Sequence, residues 1–417
     1  MLLPKITSTC LSAMTTCAPC ARIALRLLWN GLRYRFLRWT SRPGRPQALS
    51  LELTRSCVCH CVMCNIWRTQ PPRPELRLEE WTKLLSDPVL RDLRELDLTG
   101  GEPFLWPDLV SLLKTVCRLK TGYPDPDTPP SPASLKKSTG KPLRNLRSVA
   151  ITTNGVLTGR VLADVKEALP CLAEAGLELV VVCALDAVGE LHDRIRRCFG
   201  AWDCVQKTLA GLIALRSEHP NLVLGIKTTV LPENVDQLGA IAQYARERKL
   251  FTIISPAIVT PGRYANTELA RRLTLGQPAR EQAAVFYEGQ DFRWSYHARA
   301  LARYLRGRPM EKPCTCGFNY LFVRADGTVF LCPLADESQG AAGNLREAPL
   351  AALLSSRRAR AIRRRIGQRP ECESCTEPGL ERYSLPYDGL AYLRLLFALG
   401  PKAFLEHHRH LGLDKYV

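Results

Sequence analysis

The stretch Cys57–Cys64, which reads CVCHCVMC, places three thiols, Cys57, Cys61 and Cys64, in the spacing C-x3-C-x2-C. Thiolates crowded in this way suit soft metal centres, above all iron–sulfur clusters. A structural zinc site more often shows two paired C-x2-C knuckles. Three ligands for a cluster that needs four leave one iron open to a ligand from outside the protein.

A glycine pair follows the next predicted strand. Leu96–Leu98 is predicted as a strand, and the residues after it read Thr-Gly100-Gly101-Glu102-Pro. Glycines at a strand end let the backbone approach a ligand closely, and a carboxylate beside them can bind an ammonium group. Such a sequence also fits an ordinary turn. Its position downstream of the cysteine motif favours a binding site.

Together the two motifs resemble the radical S-adenosylmethionine (SAM) superfamily. The resemblance implies that Cys57, Cys61 and Cys64 hold a 4Fe–4S cluster whose open iron binds SAM. One electron from the cluster then cleaves SAM to a 5′-deoxyadenosyl radical. The residues at positions that match SAM-binding elements of the family are Met63, Gly100, Gly101, Glu102, Thr153, Asn154, Asp186 and Arg196.

Several of these positions have a role in the family. Met63 stands where an aromatic side chain usually packs on the adenine, and a soft thioether can replace it there. The glycine pair with Glu102 matches the element that holds the SAM amino group. Arg196 matches the arginine that pairs with the SAM carboxylate, although simple solvent exposure is its alternative. Arg263 and Tyr264 are candidate catalytic residues by position alone.

Strands alternate with helices from residue 48 onward, which is typical of a parallel α/β barrel. The polar clusters follow strands, where barrel enzymes place their ligands. We therefore predict a partial (β/α)6 TIM-like radical SAM barrel, with a surface insertion over Tyr123–Pro142. The predicted strands are Leu49–Leu53, Leu96–Leu98, Ser148–Thr152, Leu177–Cys183, Leu222–Val230 and Phe251–Ile254.

A second group of cysteines lies near the C-terminal end. A hairpin is predicted over Phe318–Val323 and Thr328–Leu331, around an Asp-Gly turn. Cysteines near both ends of this hairpin, joined by a later C-x2-C pair, can enclose a second cluster. The pattern resembles the twitch domain, a small hairpin-plus-helix form of the SPASM extension of radical SAM enzymes.

The twitch resemblance implies four auxiliary ligands. These are Cys314, Cys332, Cys372 and Cys375, with Cys316 as the alternative to Cys314. No cysteine follows Cys375 in the sequence, so one auxiliary 4Fe–4S cluster is predicted rather than the full SPASM set. A structural zinc ion is the alternative, because four thiolates satisfy zinc equally well.

Composition and charge indicate the class of protein, the cellular compartment and the kind of partner to expect. The 417 residues are 46% hydrophobic, and the chain has neither an apolar run that could span a bilayer nor a recognisable secretory signal. We expect its 17 cysteines to sit in a reducing cytoplasm. The net charge of +18 favours an anionic partner, although a GC-rich genome would also enrich arginine.

An amphipathic helix is predicted within residues 21–40. Its arginine-flanked apolar stripe is that of a membrane-surface anchor or of a helix docked on the barrel, and we favour docking. Peripheral contact with the inner face of the membrane is the alternative. The stripe consists of Leu25, Leu28, Leu32, Phe36 and Trp39.

The predicted organisation has five parts. They are an N-terminal basic helix and linker (1–47), the barrel (48–265), a helical linker (266–310), the twitch domain (311–377) and a helical tail (378–417). The expected activity is hydrogen abstraction from a peptide or small biosynthetic intermediate, with a flavodoxin- or ferredoxin-type electron donor. A lipid-linked substrate and a non-catalytic iron–sulfur scaffold are the alternatives. Nucleic acid is disfavoured, since no RNA-binding module is evident.

Overall fold

A computed structural model describes residues 18–69, 71–122, 141–292, 295–310 and 313–416. The first 17 residues and nearly all of the predicted insertion over Tyr123–Pro142 lie outside the described residues. Within the described ranges the chain folds as helices around one sheet. The strands are β1 Ala48–Thr54, β2 Glu95–Gly100, β3 Ser148–Thr153, β4 Glu178–Ala184, β5 Leu222–Val230, β6 Phe251–Pro256, β7 Tyr320–Val323, β8 Thr328–Phe330 and β9 Ala341–Asn344.

The helices alternate with β1 to β6 and then continue beyond them. The first part of the chain has α1 Ala18–Thr40, α2 Leu78–Leu85, α3 Leu109–Thr121, α4 Thr158–Glu174, α5 Glu190–Arg196, α6 Ala201–Glu218 and α7 Leu238–Glu247. The second part has α8 Ala270–Leu273, α9 Gln277–Glu288, α10 Tyr296–Leu305, α11 Glu337–Gly340, α12 Leu350–Ser355, α13 Arg357–Arg365, α14 Gly379–Tyr387, α15 Gly389–Leu399 and α16 Pro401–His410.

Strands β1 to β6 run parallel, and each is joined to the next by a crossover that contains at least one helix. Six of the seven residues of β4 are buried, as its near-continuous apolar sequence requires, and all seven residues of β1 are buried although its sequence alternates apolar and polar side chains. The sheet order is β6-β5-β4-β3-β2-β1-β7-β8-β9, so β1 pairs with β7 and the barrel stays open. The prediction of a partial barrel is therefore confirmed.

The predicted C-terminal hairpin extends the barrel sheet. Strand β7 pairs in parallel with β1, in a register that sets Ala48 opposite Tyr320 and Leu51 opposite Val323. Strands β8 and β9 then continue the same sheet in antiparallel fashion. The cysteines around the hairpin are thus tied by backbone hydrogen bonds to the strand that leads into the first cysteine motif.

Helix α1 docks on the C-terminal helices through a face that the sequence analysis did not predict. Leu27, Tyr34 and Leu37 are buried, and the Asn30 amide donates to the Pro386 carbonyl at 3.0 Å. The predicted stripe, which includes Trp39, faces outward instead. The prediction that this helix docks through that stripe was therefore wrong. Across the described ranges, no helix is both long enough and apolar enough to cross a membrane.

Candidate active site

A cavity at the carboxyl ends of the parallel strands contains all three thiols of the first motif. We call it the first cavity. Its wall includes Cys57, Cys61 and Cys64 from the loop after β1, with residues from the loops after β2, β3 and β6. Predicted residues on the same wall are Met63, Gly100, Gly101, Thr153, Asn154, Arg196, Arg263 and Tyr264.

The glycine pair lies directly on the cysteine loop. Gly100 has φ = +144°, and a Cβ there would be 2.3 Å from the Thr54 carbonyl oxygen. A Cβ on Gly101 would be 2.2 Å from the carbonyl oxygen of Ser56. The Gly101 amide donates to the Thr54 carbonyl at 2.8 Å. Only glycines allow the two loops to meet this closely, so the pair shapes the cavity floor.

Glu102 does not face the cavity, in contrast to the expected contact between its carboxylate and an ammonium group. The side chain is fully buried and accepts hydrogen bonds from the Thr153 hydroxyl at 2.9 Å and from the Asn154 backbone amide at 2.7 Å. It also accepts from the Phe104 amide at 3.2 Å. Burial raises its pKa to about 7. Its carboxylate joins the loops after β2 and β3, which orients Thr153 and Asn154.

Two side chains donate toward the thiols. Asn154 Nδ2 lies 3.8 Å from Cys57 Sγ, and Arg196 Nη1 lies 3.6 Å from Cys61 Sγ. Arg196 Nη2 also forms an ion pair with the fully buried Asp186 at 2.7 Å. Asp186 lies behind the wall and holds the guanidinium in place. Among the described residues Arg196 Nε has no hydrogen-bond partner, so this buried donor remains for a ligand.

The thiols differ in their acidity before any metal binds. Burial raises the pKa of Cys57 to about 11 and that of Cys64 to about 12. A hydrogen bond with the Cys59 side chain lowers the pKa of Cys61 to about 7. Cysteine binds metals as the thiolate, so a cationic cluster core has to displace protons from Cys57 and Cys64.

The loop after β6 closes the cavity over the cysteine motif. The Asn65 amide donates to the Tyr264 carbonyl at 2.9 Å, and Asn266 Nδ2 donates to the Met63 carbonyl at 2.8 Å. These contacts bring Arg263 and Tyr264 to the wall, and the Arg263 guanidinium lies 5.6 Å from the Tyr264 ring centroid.

Sequence reasoning missed several charged residues on the first cavity's wall. Lys227 reaches it from β5, Glu52 from β1 and Glu377 from the segment before α14. Lys227 inside β5 and Glu52 inside β1 were the available signals, because a charged residue in a buried strand requires a reason. Nothing in the sequence distinguished Glu377 from other surface acids.

A second cavity lies beside the hairpin, and four of the five C-terminal thiols line it. These are Cys314, Cys332, Cys372 and Cys375, together with Arg369 and Glu373. Cys316 is 1% exposed and does not line this cavity. Within the described ranges, no three or more His, Cys, Asp or Glu side chains are grouped so as to hold a single metal ion.

The residues fit the groups that a cluster and SAM would bring. The first cavity offers three uncrosslinked thiols on one wall, a glycine pair at which any Cβ would collide with the backbone of the cysteine loop, and a buried guanidinium nitrogen without a hydrogen-bond partner among the described residues. The second cavity offers four uncrosslinked thiols. Thiolate sets without a competing oxygen-rich cage suit iron–sulfur centres.

Comparisons with known proteins agree with this geometry. Residues 51–245 match the radical SAM superfamily, and residues 314–376 match an iron–sulfur cluster-binding domain, SPASM. The chain is 33% identical to a GTP 3′,8-cyclase of Parasynechococcus marenigrum over 217 residues. This alignment covers 50% of this chain and 55% of that protein. It is also 28% identical to a GTP 3′,8-cyclase of Rhodopseudomonas palustris over 338 residues. This alignment covers 78% of this chain and 86% of that protein.

A solved structure shares the fold. Streptococcus suis SuiB bound to S-adenosylmethionine superposes with a TM-score of 0.53 and 13% identity, over 82% of this chain and 73% of that one. The two family matches together cover more than half of the chain. The cofactors of these two families are SAM and iron–sulfur clusters. The chain therefore belongs to the radical SAM superfamily of enzymes and carries a SPASM-type iron–sulfur domain.

Proposed function

We propose that the enzyme abstracts hydrogen from a peptide or small biosynthetic intermediate bound in the first cavity. When bound, the cluster and SAM supply the one-electron chemistry that makes a 5′-deoxyadenosyl radical. One observation carries the proposal: the first cavity gathers the three thiols, the glycine pair and charged side chains from outside the SAM elements on one wall.

The chain's own residues hold and orient the cofactors in this proposal. Cys57, Cys61 and Cys64 are the cluster ligands, and Asn154 and Arg196 donate toward their sulfurs. Hydrogen bonds of this kind tune iron–sulfur centres. Arg196 lines the first cavity, and its Nε, which has no hydrogen-bond partner among the described residues, is proposed to bind the SAM carboxylate in a charge-assisted contact. Met63 and the glycine pair shape the space for the remainder of SAM.

The rest of the wall is proposed to bind substrate. Lys227 and Arg263 offer cationic groups, and Glu377 offers an anionic one. Relatives named GTP 3′,8-cyclase indicate by name a nucleotide substrate, which supports a small anionic intermediate for this chain. Arg263 and Tyr264 remain the candidate side chains beside the reacting carbon. A flavodoxin- or ferredoxin-type protein is the proposed electron donor.

The second cavity is proposed to hold one auxiliary 4Fe–4S cluster on Cys314, Cys332, Cys372 and Cys375. Cys375 lines the second cavity, while Glu377, two residues later, lines the first. This short covalent connection supports electron exchange between the auxiliary cluster and a substrate in the first cavity. Iron and zinc counts on the purified protein separate this assignment from a structural zinc ion.

SAM cleavage tests the proposal. The anaerobically reconstituted enzyme is mixed with dithionite and SAM, and 5′-deoxyadenosine is quantified by mass spectrometry. We expect product from the unaltered enzyme and from Cys204→Ser, a half-buried cysteine of α6, but none above background from Cys64→Ser. Retained cleavage in Cys64→Ser, or none in the unaltered enzyme with its cluster in place, would overturn the proposal.

A lipid-linked substrate is the second candidate, because α1 turns large apolar side chains outward. In that case a deuterated membrane-lipid extract would transfer deuterium to the 5′-deoxyadenosine that forms, because the radical takes a hydrogen atom from the substrate. A labelled aqueous metabolite fraction would not. Exchange with the aqueous fraction alone would remove this candidate.

A further inference from the structure

The outward face of α1 is a contiguous row of large apolar side chains. Within the part of the chain that the structure describes, nothing covers this face, while Leu27, Tyr34 and Leu37 occupy the inward face. Soluble proteins seldom expose so large an apolar patch unless it binds something. The exposed fractions are 67% for Leu25, 42% for Leu28, 67% for Trp29, 53% for Leu32, 51% for Phe36 and 82% for Trp39.

The same face is basic. Arg26 and Arg33 are exposed at its edge, and Arg42 follows the end of the helix, whereas Arg38 interacts with the inward-facing Tyr34. The 23 residues of α1 contain no Asp or Glu. An apolar face with tryptophans and arginines matches a bilayer interface, where indole rings sit at headgroup level and arginines meet lipid phosphates.

We propose that α1 anchors the enzyme to an anionic membrane surface. The helix lies along the surface, with Trp29, Leu32 and Trp39 inserted at the boundary between headgroups and acyl chains. The arginines meet the headgroup phosphates. A helix with arginines at such short intervals lies on the membrane rather than across it. This inference goes beyond the proposed function, because lipid binding needs neither cluster nor SAM.

The anchor is rigidly joined to the catalytic body. The Tyr34 hydroxyl donates to the carbonyl of Cys314 at 2.9 Å, and Cys314 lines the second cavity. Arg35 forms an ion pair with Asp388 at 2.9 Å. Because α1 is held on its inward face, membrane binding would place the second cavity at a fixed distance from the lipid surface.

Vesicle flotation of the full chain tests the anchor. Vesicles of phosphatidylglycerol with phosphatidylcholine are compared with pure phosphatidylcholine. The variant is Trp29→Ser/Leu32→Ser/Trp39→Ser, and the matched control is Phe199→Ser, which removes a fully exposed aromatic ring between α5 and α6. We expect the unaltered chain and the control to float with anionic vesicles and the triple variant to stay at the bottom.

A second variant tests the charge independently. Arg26→Gln/Arg33→Gln should weaken binding to anionic vesicles about fivefold per arginine removed, and added salt should reduce this difference. All of these positions are exposed, so circular dichroism should show unchanged helix content. Failure of the unaltered chain to float, or equal flotation of the triple variant, would overturn the proposal. So would self-association without flotation that the triple variant abolishes, since a second copy would then cover the face.

Discussion

The two cavities differ in what holds their walls together. Around the first, buried side chains form bonds across loops: Glu102 accepts from the Thr153 hydroxyl and the Asn154 backbone amide, and Arg196 pairs with Asp186. Around the second, Cys372 lies in a short turn, Pro370–Ser374, and Cys375 directly follows it; the Cys375 amide donates to the Cys372 carbonyl, and the Met310 amide donates to the Glu373 carbonyl from outside the turn. From this difference we predict that the first site is preformed by protein contacts, whereas the second depends more on the metal group proposed for it.

The largest stability effect is expected where the first cavity relies on an ion pair. Arg196→Met should lower the unfolding free energy of the metal-free protein by about 3–5 kcal/mol, because it leaves the buried Asp186 without its cation. Anaerobic urea denaturation measures this. Adding Asp186→Asn should recover part of the loss. The control, Arg306→Met, removes an exposed arginine and should change stability little. Equal effects of the two arginine variants would contradict a preformed site.

Glu102 gives the first cavity a pH dependence near neutrality. Burial raises its pKa from 4.5 to about 7, so the folded protein binds this proton more tightly than the unfolded chain does. This contribution to stability is full below pH 4.5 and is lost as the pH rises through about 7, by roughly 3 kcal/mol. Glu102→Gln should remove this part of the slope in anaerobic denaturation series.

The exposed Glu373 of the second cavity provides the control for that series. Glu373→Gln should leave the pH slope of the metal-free protein as it was. If Glu102→Gln and Glu373→Gln give the same slope as the unaltered chain, the buried carboxylate is not the source of the pH dependence.

Metal loss should affect the two regions unequally. Cys372→Ser should lower the melting temperature of the reconstituted protein by several degrees and open the turn Pro370–Ser374 to protease. Cys64→Ser should abolish SAM cleavage with a smaller change in melting temperature. Calorimetry and limited proteolysis with mass spectrometry measure both. A larger loss of stability in Cys64→Ser would reverse the comparison.

The smallest effect is expected from Cys316, which lies outside the second cavity. Cys316→Ala should keep the iron content of the reconstituted protein, whereas Cys314→Ala should lose about four irons. Iron and sulfide assays on the two variants decide which cysteine is the ligand. Loss of iron in Cys316→Ala alone would assign the ligand to the alternative that the sequence left open.

The sequence was most informative where the determining residues are neighbours. The thiol spacing within Cys57–Cys64 is local, and β5 matches its predicted range Leu222–Val230 because a stretch rich in β-branched and apolar residues between Asn221 and Pro232 is a strand signal. The role of Glu102 could not be read, since its partners Thr153 and Asn154 lie about fifty residues away along the chain.

Helix α1 shows another limit. Its sequence has two apolar stripes, one through Trp39 and one through Leu27 and Tyr34, and helical periodicity alone does not say which of them packs. The stripe that packs is the one that meets α14 and α15, and these helices lie about 350 residues later in the chain. The joining of β7 to β1 was hidden for the same reason, because strand pairing across such distances leaves no local signal.

Electron paramagnetic resonance of the reduced enzyme, recorded before and after SAM is added, distinguishes the two cluster sites. We expect two 4Fe–4S signals, of which one shifts when SAM binds. Cys64→Ser should lose the shifting signal, and Cys372→Ser should lose the other. A single signal in the unaltered enzyme, or a SAM-induced shift that survives Cys64→Ser, would contradict the assignment of the SAM-binding cluster to the first cavity and an auxiliary cluster to the second.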